Sequence, residues 1–101
     1  METKFGNRIR TEREKQKLLL REVSALLSID TALLSKLERG DRNAKKEFVF
    51  KIADILKIDK KELHTLWLAD QVYNVVKNEE NAMEAIVVAE ESVKYGKKWM
   101  I

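Results

Sequence analysis

Apolar residues recur every three or four positions along most of the chain, and this spacing predicts amphipathic helices rather than strands. Six helices are predicted, at about residues 3–16, 20–27, 31–39, 46–57, 60–77 and 79–94. Phe5 and Ile9 form the inward side of the first helix, while Val23 and Leu27 form that of the second. The fourth has a longer apolar stripe, made of Val49, Ile52, Ala53 and Leu56. We therefore expect an all-α fold.

Residues that favour helix ends lie at several of these boundaries. Asp30 is suited to cap the third helix, because its carboxylate can accept a hydrogen bond from an unpaired backbone amide. Gly40 follows that helix and can take the left-handed conformation at little cost. Asp59 with Glu62 resembles a capping box at the start of the fifth helix. Asn78 is the predicted cap of the sixth helix.

The second and third predicted helices are short and are separated by a turn of three residues, 28–30. Leu34 and Leu37 lie on one side of the third helix, from which they can pack against Val23 and Leu27. Ser24 is small and lies where the two helices would cross closely. At about 100° per residue, the opposite side of the third helix carries Ala32, Ser35, Lys36 and Arg39. This is the layout of a helix-turn-helix, whose second helix enters the major groove of DNA.

The side chains on the outer side of the third helix suit this role. Thr31 and Lys36 can hydrogen-bond to base edges, and the methyl groups of Thr31, Ala32 and Leu33 can pack on a thymine methyl group. We therefore predict that Thr31, Ala32, Leu33 and Lys36 read bases. A larger set of basic and polar side chains is predicted to bind phosphates and position the protein: Arg21, Ser35, Arg39, Arg42, Asn43, Lys45 and Lys46.

The distribution of charge agrees with an anionic partner. The net charge of the 101 residues is only +3, but residues 1–46 hold twelve basic and seven acidic residues, a net of +5. Residues 47–101 hold eight basic and ten acidic residues, a net of −2. The basic half, which contains the predicted helix-turn-helix, is where DNA would dock. A solvated surface with an accidental asymmetry of charge is the alternative.

Three stretches carry a resemblance to a known family: "GNRIR" with Arg13, then "SIDTALLSKLERGDRNAK", then "FKIADILKIDKKEL". Over about residues 5–63 the chain resembles the Cro- and lambda-repressor-like helix-turn-helix family. The resemblance implies a five-helix DNA-binding domain, here with an additional C-terminal helix. It also implies a structural ion pair between Arg13 and Glu38. The small size and the added helices resemble the controller proteins of restriction–modification systems, or small phage and plasmid regulators.

The sequence departs from the family pattern at four positions. Leu20 and Leu19 stand where the family often has a phosphate-binding glutamine and a capping serine or threonine. Ser28 replaces a frequent glycine, so we expect about 1 kcal/mol of strain in the turn or a different path of the chain. Glu12 replaces a usual leucine, which leaves the packing of the first helix open.

The last two helices carry more apolar surface than a five-helix core needs. We divide the chain into a DNA-binding core over residues 1–63 and a C-terminal helical extension over residues 64–101, continuous with the core. A helix that is apolar on several sides is usually covered on several sides, so we expect a symmetric homodimer on a palindromic operator. The predicted interface consists of Trp67, Leu68, Val72, Val75, Val76 and Ile86. The alternatives are packing within the chain and an antitoxin-like interaction module acting through helices 5 and 6.

The sequence offers no site for other chemistry. It has no cysteine, so thiolate zinc sites and disulfides are excluded, and no glycine-rich phosphate loop occurs. His64 is the only histidine and lies among apolar residues, where a structural role is expected. We expect no enzyme activity, cofactor, metal or small-molecule ligand. We also find no signal peptide or membrane span, and we expect a cytoplasmic regulator, acting as a repressor where its operator overlaps a promoter.

Overall fold

The computed structural model describes the backbone of residues 2–99 and the side chains of residues 2–96. Over this range the regular secondary structure is entirely helical, as the apolar periodicity predicts. The six helices are α1 (Lys4–Lys15), α2 (Leu20–Leu27), α3 (Thr31–Arg39), α4 (Lys46–Leu56), α5 (Lys60–Val76) and α6 (Ala82–Trp99). They form two compact units, Met1–Gln71 and Val72–Ile101, and α5 contributes to both.

Polar side chains cap three helix starts in the first unit. The hydroxyl of Thr3 accepts a hydrogen bond from the amide of Gly6 at 2.9 Å. Asp30 accepts one from the amide of Ala32 at 3.2 Å, and Asp59 accepts one from the amide of Glu62 at 2.9 Å. Each oxygen satisfies a backbone donor that has no partner within its own helix. The caps predicted at Asp30 and Asp59 are therefore present.

Helices α2, α3 and α4 each end at a residue whose backbone has the left-handed conformation. Gly40 has φ 78° and suits this conformation, but Ser28 and Lys57 both have φ 58°. At Ser28 the turn still satisfies the helix carbonyls, because the amides of Ser28 and Ile29 donate to Ala25 and Ser24. For a residue with a β-carbon, the left-handed conformation costs about 1–2 kcal/mol. The strain expected at Ser28 is therefore stored in the turn that sets the angle between α2 and α3.

One apolar core joins the first four helices to the start of α5. Its members are at most 6% exposed and include every inward-facing residue that the spacing predicts for the first four helices. They are Phe5, Ile9, Val23, Leu27, Leu34, Leu37, Ala44, Val49, Ile52, Ala53, Leu56, Ile58 and Leu63. At about 1.5–3 kcal/mol for each fully buried large side chain, this core is the main stabilising element of the first unit.

Glu12 does not disturb the packing of α1, although it stands where the family usually has leucine. Its carboxylate accepts hydrogen bonds from Arg8 and Gln16, each at 3.0 Å, and these bonds lower the pKa of Glu12. Arg8 also donates to Glu62 on α5 at 2.7 Å. Gln16 donates to the carbonyl of Leu56 at 2.6 Å. The polar side of α1 is therefore tied to α4 and α5 by hydrogen bonds.

The middle of α5 belongs to the first unit because two side chains attach it there. The indole nitrogen of Trp67 donates to the carbonyl of Ala44 at 2.9 Å. The carboxylate of Asp70 is only 8% exposed and accepts hydrogen bonds from the amides of Lys4 at 3.0 Å and Phe5 at 2.9 Å. Asp70 thus serves as a second cap of α1, contributed by a helix more than sixty residues away in sequence.

The second unit consists of the end of α5 and α6. The two helices line an apolar groove of about 480 Å³, with Glu90 at its edge. Its apolar residues are Val72, Val75, Val76, Ala85, Ile86, Ala89 and Val93. Several remain exposed in the chain described here: Val75 by 78%, Val93 by 57% and Val72 by 50%.

The predicted bounds of the sixth helix were wrong at both ends. The helix begins at Ala82 rather than after Asn78, and it continues to Trp99 rather than ending near Lys94. Asn81 followed by Glu84 matches the spacing of a capping box, which makes Asn81 a better start signal than Asn78. Gly96 does not end the helix, because a single glycine costs only about 1 kcal/mol in a helix of good helix formers.

Candidate nucleic-acid interface

Helix α3 turns its leucines inward and its polar residues outward. Leu34 and Leu37 are 1% and 2% exposed and belong to the core. The opposite side carries Thr31, Ala32 and Lys36, all exposed. This side of α3 is open in the first unit, as is required of a helix that enters the major groove of DNA.

The crossing of α2 and α3 is held by a hydroxyl pair. Ser24 is 3% exposed, and its oxygen lies 3.0 Å from the hydroxyl oxygen of Thr31. Ser24 also donates to the carbonyl of Arg21 at 3.1 Å. The small side chain expected at this crossing is therefore also a polar contact that positions the first residue of α3.

Arg13 and Glu38 form a two-pronged ion pair beneath α3. Nε of Arg13 lies 2.7 Å from one oxygen of Glu38, and a second guanidinium nitrogen lies 3.0 Å from the other. A third donates to the carbonyl of Leu18 at 2.9 Å. The side chains are only 11% and 5% exposed, and the hydrogen bond to Glu38 raises the pKa of Arg13 above its ordinary value. This pair is well buried, so the small energies of surface ion pairs do not apply to it.

A close backbone approach accompanies this ion pair. A β-carbon added to Gly6 would lie 2.5 Å from the carbonyl oxygen of Glu38 and 2.6 Å from that of Leu37. Such distances are shorter than real β-carbon contacts, and the atoms concerned belong to the backbone and cannot swing away. Glycine is therefore required where α1 crosses the end of α3. The two contacts together hold the C-terminal end of α3 against α1.

The predicted phosphate-binding residues lie around the exposed side of α3, but they differ in exposure and in the partners that they already have. Arg21, Arg42, Lys45 and Lys46 are exposed. Arg39 lies 3.2 Å from a carboxylate oxygen of Asp41 in an ion pair that is itself half exposed. The amide of Asn43 forms reciprocal hydrogen bonds of 2.9 Å with Gln71, and Ser35 is half-buried.

Leu33 lies at one edge of the α3 surface and not at its centre. It is half-buried and lines a shallow apolar pocket of about 200 Å³ together with Ile29 and Phe48. Arg42 and Lys45 stand at the rim of this pocket. Only part of Leu33 is therefore available to a ligand on α3.

Arg10 was not among the phosphate-binding residues predicted from the sequence. This exposed residue lines a cleft of about 180 Å³ with Leu20, Ser35 and Arg39, directly above the buried ion pair of Arg13. Its position three residues before Arg13, on the same side of α1, is a signal from which it could have been found. Arg10 adds a cation to the edge of the α3 surface, although its Nε lies 3.7 Å from a carboxylate oxygen of Glu14 in an exposed ion pair.

His64 lies outside this surface. Its ring is 5.2 Å from that of Phe50 and 6.0 Å from that of Trp67, between centroids. Nε2 is buried and has no hydrogen-bond partner among the described residues. Over the described part of the chain, no cluster of three or more histidine, cysteine or acidic side chains could hold a metal ion. None of the helices over residues 2–99 combines the length and apolar character that crossing a bilayer requires.

The short α2, the tight turn at Ser28 and the outward side of α3 define a helix-turn-helix DNA-binding domain. Comparison with protein families agrees: a helix-turn-helix family model matches residues 9–63, more than half of the chain. The protein belongs to the Cro- and lambda-repressor-like helix-turn-helix family. This is a family of DNA-binding regulators that are generally not enzymes. Neither the curated proteins nor the solved structures that were compared include a match.

Proposed function

We propose that the protein is a transcriptional regulator that binds a palindromic operator as a homodimer. The observation that carries the proposal is the open side of α3, which offers Thr31, Ala32 and Lys36 while the leucines of the same helix are buried. A regulator of this size acts by occupancy, so it represses where the operator overlaps a promoter. It would act in the cytoplasm, in a cell in which the genomic DNA is also in the cytoplasm.

The proposed contacts with DNA are of two kinds, contacts with bases and contacts with phosphates. Thr31, Ala32, Leu33 and Lys36 read base edges, with Leu33 acting only through its exposed part. The flanking cations clamp phosphates and supply the salt dependence of binding. Arg39 can exchange Asp41 for a phosphate at low cost, because an exposed ion pair contributes only about 0–1 kcal/mol. Ser35 and Asn43 add phosphate contacts at the edges of this surface. To bind a phosphate, the Asn43 amide must give up its hydrogen bond to Gln71.

The apolar groove of the second unit supports the homodimer. Val72, Val75 and Val93 are each at least half exposed, and a two-fold axis would bury the same residues on both copies. We propose half-sites about 34 Å apart, one turn of the DNA helix, which is the spacing that two-fold helix-turn-helix dimers use. Val76 and Ile86 are half-buried at the floor of the groove. Leu68 is 45% exposed on α5, whereas Trp67 is largely engaged with its own core and contributes less to the proposed interface.

Binding to DNA is tested with the full-length protein and a pool of randomised duplexes at two salt concentrations. A regulator enriches one sequence and loses affinity steeply as salt rises. Lys36→Ala should relax base preference at one position, whereas Arg42→Ala should weaken binding to all sequences alike and lower the salt slope by about one. Enrichment of no sequence by the wild-type protein would overturn the proposed function.

The dimer is tested separately by light scattering. Val75→Glu places a charge in the groove and should yield monomers. Asn74→Glu is the matched control, because Asn74 is exposed on the other side of the same helix turn and does not line the groove. Dimers that persist in Val75→Glu at micromolar concentration would place the interface elsewhere.

A protein-interaction module of the antitoxin type is a second candidate. The observation that favours it is the exposure of Val87 by 53% and of Val88 by 62%, although neither of them lines the groove. A homodimer formed through the groove leaves these side chains available to a different protein. The randomised-duplex experiment discriminates the two functions, since a pure interaction module selects no DNA sequence.

A further inference from the structure

The hydrogen bonds at the α2–α3 crossing determine what Thr31 can offer to DNA. A serine hydroxyl carries one proton, and that of Ser24 is donated to the carbonyl of Arg21 at 3.1 Å. Both contacts of Ser24 are hydrogen bonds at the same time only when Thr31 donates the one of 3.0 Å between the two hydroxyl oxygens. The proton of Thr31 is therefore committed to a partner that is only 3% exposed.

This commitment changes the chemistry at the start of α3. Without its proton, Thr31 cannot donate to a phosphate or to the acceptors of guanine, adenine or thymine unless it breaks a largely buried bond. Thr31 itself is exposed, and because its hydroxyl oxygen lies against Ser24, its γ-methyl is the side-chain group left for a partner outside. Ala32 follows with an exposed β-methyl. The first two residues of α3 thus offer two methyl groups, and the cation of Lys36 follows one turn later.

Methyl groups on a recognition helix have a matching feature in the major groove. Thymine exposes its C5 methyl there, and apolar side chains contact it. The N-terminal residues of a recognition helix are those that reach base edges. Cytosine lacks this methyl group unless it is methylated at C5, in which case it presents the same chemistry.

We propose that the N-terminal end of α3 reads the C5 methyl group of a pyrimidine through Thr31 and Ala32. The ligand is a duplex with thymine, or C5-methylated cytosine, at the positions facing these residues. This inference rests on the proposed DNA-binding function and specifies the chemistry of its operator. The hydroxyl of Thr31 orients the methyl group through its bond to Ser24 and does not donate to DNA.

The experiment begins with the sequence that the wild-type protein selects from randomised duplexes. Each thymine is then replaced in turn by deoxyuridine, which removes only the C5 methyl group and keeps every hydrogen-bonding atom. Affinity measured by fluorescence anisotropy should fall about fourfold at one or two adjacent positions, the ratio expected for one buried methyl-sized group. It should be unchanged at the other thymines. In a parallel series, each cytosine is replaced by C5-methylcytosine.

Two variants of Thr31 separate its methyl group from its hydroxyl. Thr31→Ser keeps the proton for Ser24 and loses the methyl, so it should bind the thymine and uracil duplexes equally at one position. Thr31→Val keeps a methyl and loses the hydroxyl, so it should still prefer thymine. Circular dichroism confirms that each variant is folded, and the uracil series on the wild-type protein requires no variant.

The outcomes distinguish the sources of the methyl group. A loss at uracil without a gain at methylcytosine identifies thymine, and a gain at methylcytosine without a loss at uracil identifies the modified base. A selected operator that tolerates every uracil and ignores methylcytosine overturns the inference while leaving DNA binding intact. A preference for thymine that survives in Thr31→Ser and vanishes in Thr31→Val would also overturn it, because the hydroxyl would then be the reader.

Discussion

The carboxylate of Asp70 connects the middle of α5 to the start of α1, and its removal provides a sharp test of how the first unit is held together. Its two oxygens accept hydrogen bonds from the amides of Lys4 and Phe5, at 3.0 Å and 2.9 Å. These amides are among the four that every helix start leaves without an internal partner. The negative charge also faces the positive end of the α1 dipole.

The expected cost follows from these contacts. A hydrogen bond to a charged group contributes about 1.5–3 kcal/mol, and a buried amide left without a partner costs a similar amount. Because the two bonds involve neighbouring amides, their contributions do not simply add. We expect Asp70→Ala to lower the free energy of unfolding by about 3 kcal/mol, and Asp70→Asn by about 1.5 kcal/mol, since one oxygen remains. The total free energy of unfolding of a small domain is only about 5–15 kcal/mol, so either loss would be a large fraction of it.

Urea unfolding followed by far-ultraviolet circular dichroism measures this effect. Asp54→Ala is the matched control: Asp54 is exposed and lies 3.2 Å from the amine of Lys60, a surface pair expected to contribute about 0–1 kcal/mol. If Asp70→Ala and Asp54→Ala lower the midpoint equally, the carboxylate of Asp70 is not the cap that its geometry indicates.

Five further substitutions test three other features of the structure. Gly6→Ala should cost about 2 kcal/mol, because its β-carbon would meet backbone oxygens at 2.5 Å and 2.6 Å, whereas Gly96→Ala meets nothing within 4 Å and should not destabilise. Arg13→Ala and Glu38→Ala should each cost about 3–5 kcal/mol, since each leaves a buried charge without its partner. Ser28→Gly should raise stability by about 0.5 kcal/mol, because relief of the left-handed strain exceeds the added chain entropy.

Each of these predictions has a result that would contradict it. For the glycines, equal unfolding midpoints of the two alanine variants would mean that α1 can shift away from α3 at no cost. For the ion pair, a double mutant as unstable as the sum of the single mutants would show that Arg13 and Glu38 are not coupled. For the turn, a thermal midpoint lowered in Ser28→Gly would mean that no strain is stored there.

Features that depend on near neighbours along the chain could be predicted from the amino-acid sequence alone. The apolar spacing of 3.6 residues gave the bounds of the first five helices to within about one residue, and Asp30, Asp59 and Gly40 marked helix ends through contacts within a few residues. The same periodicity placed Leu34 and Leu37 inside, and therefore Thr31, Ala32 and Lys36 outside, whereas Leu33 is half-buried at the edge. The sixth helix was misplaced because two asparagines three residues apart offer similar local signals.

Contacts between residues that are distant along the chain became apparent only from the folded arrangement of the helices. Asp70 reaches α1 across more than sixty residues, and no local pattern distinguishes it from an ordinary surface acid. The proton of Thr31 is likewise committed by Ser24 on another helix, so the outward chemistry of Thr31 depends on the crossing of α2 and α3. Periodicity states which side of a helix is buried, but the partner of a polar atom is set by the three-dimensional arrangement of the helices, since hydrogen bonds act only over about 3 Å.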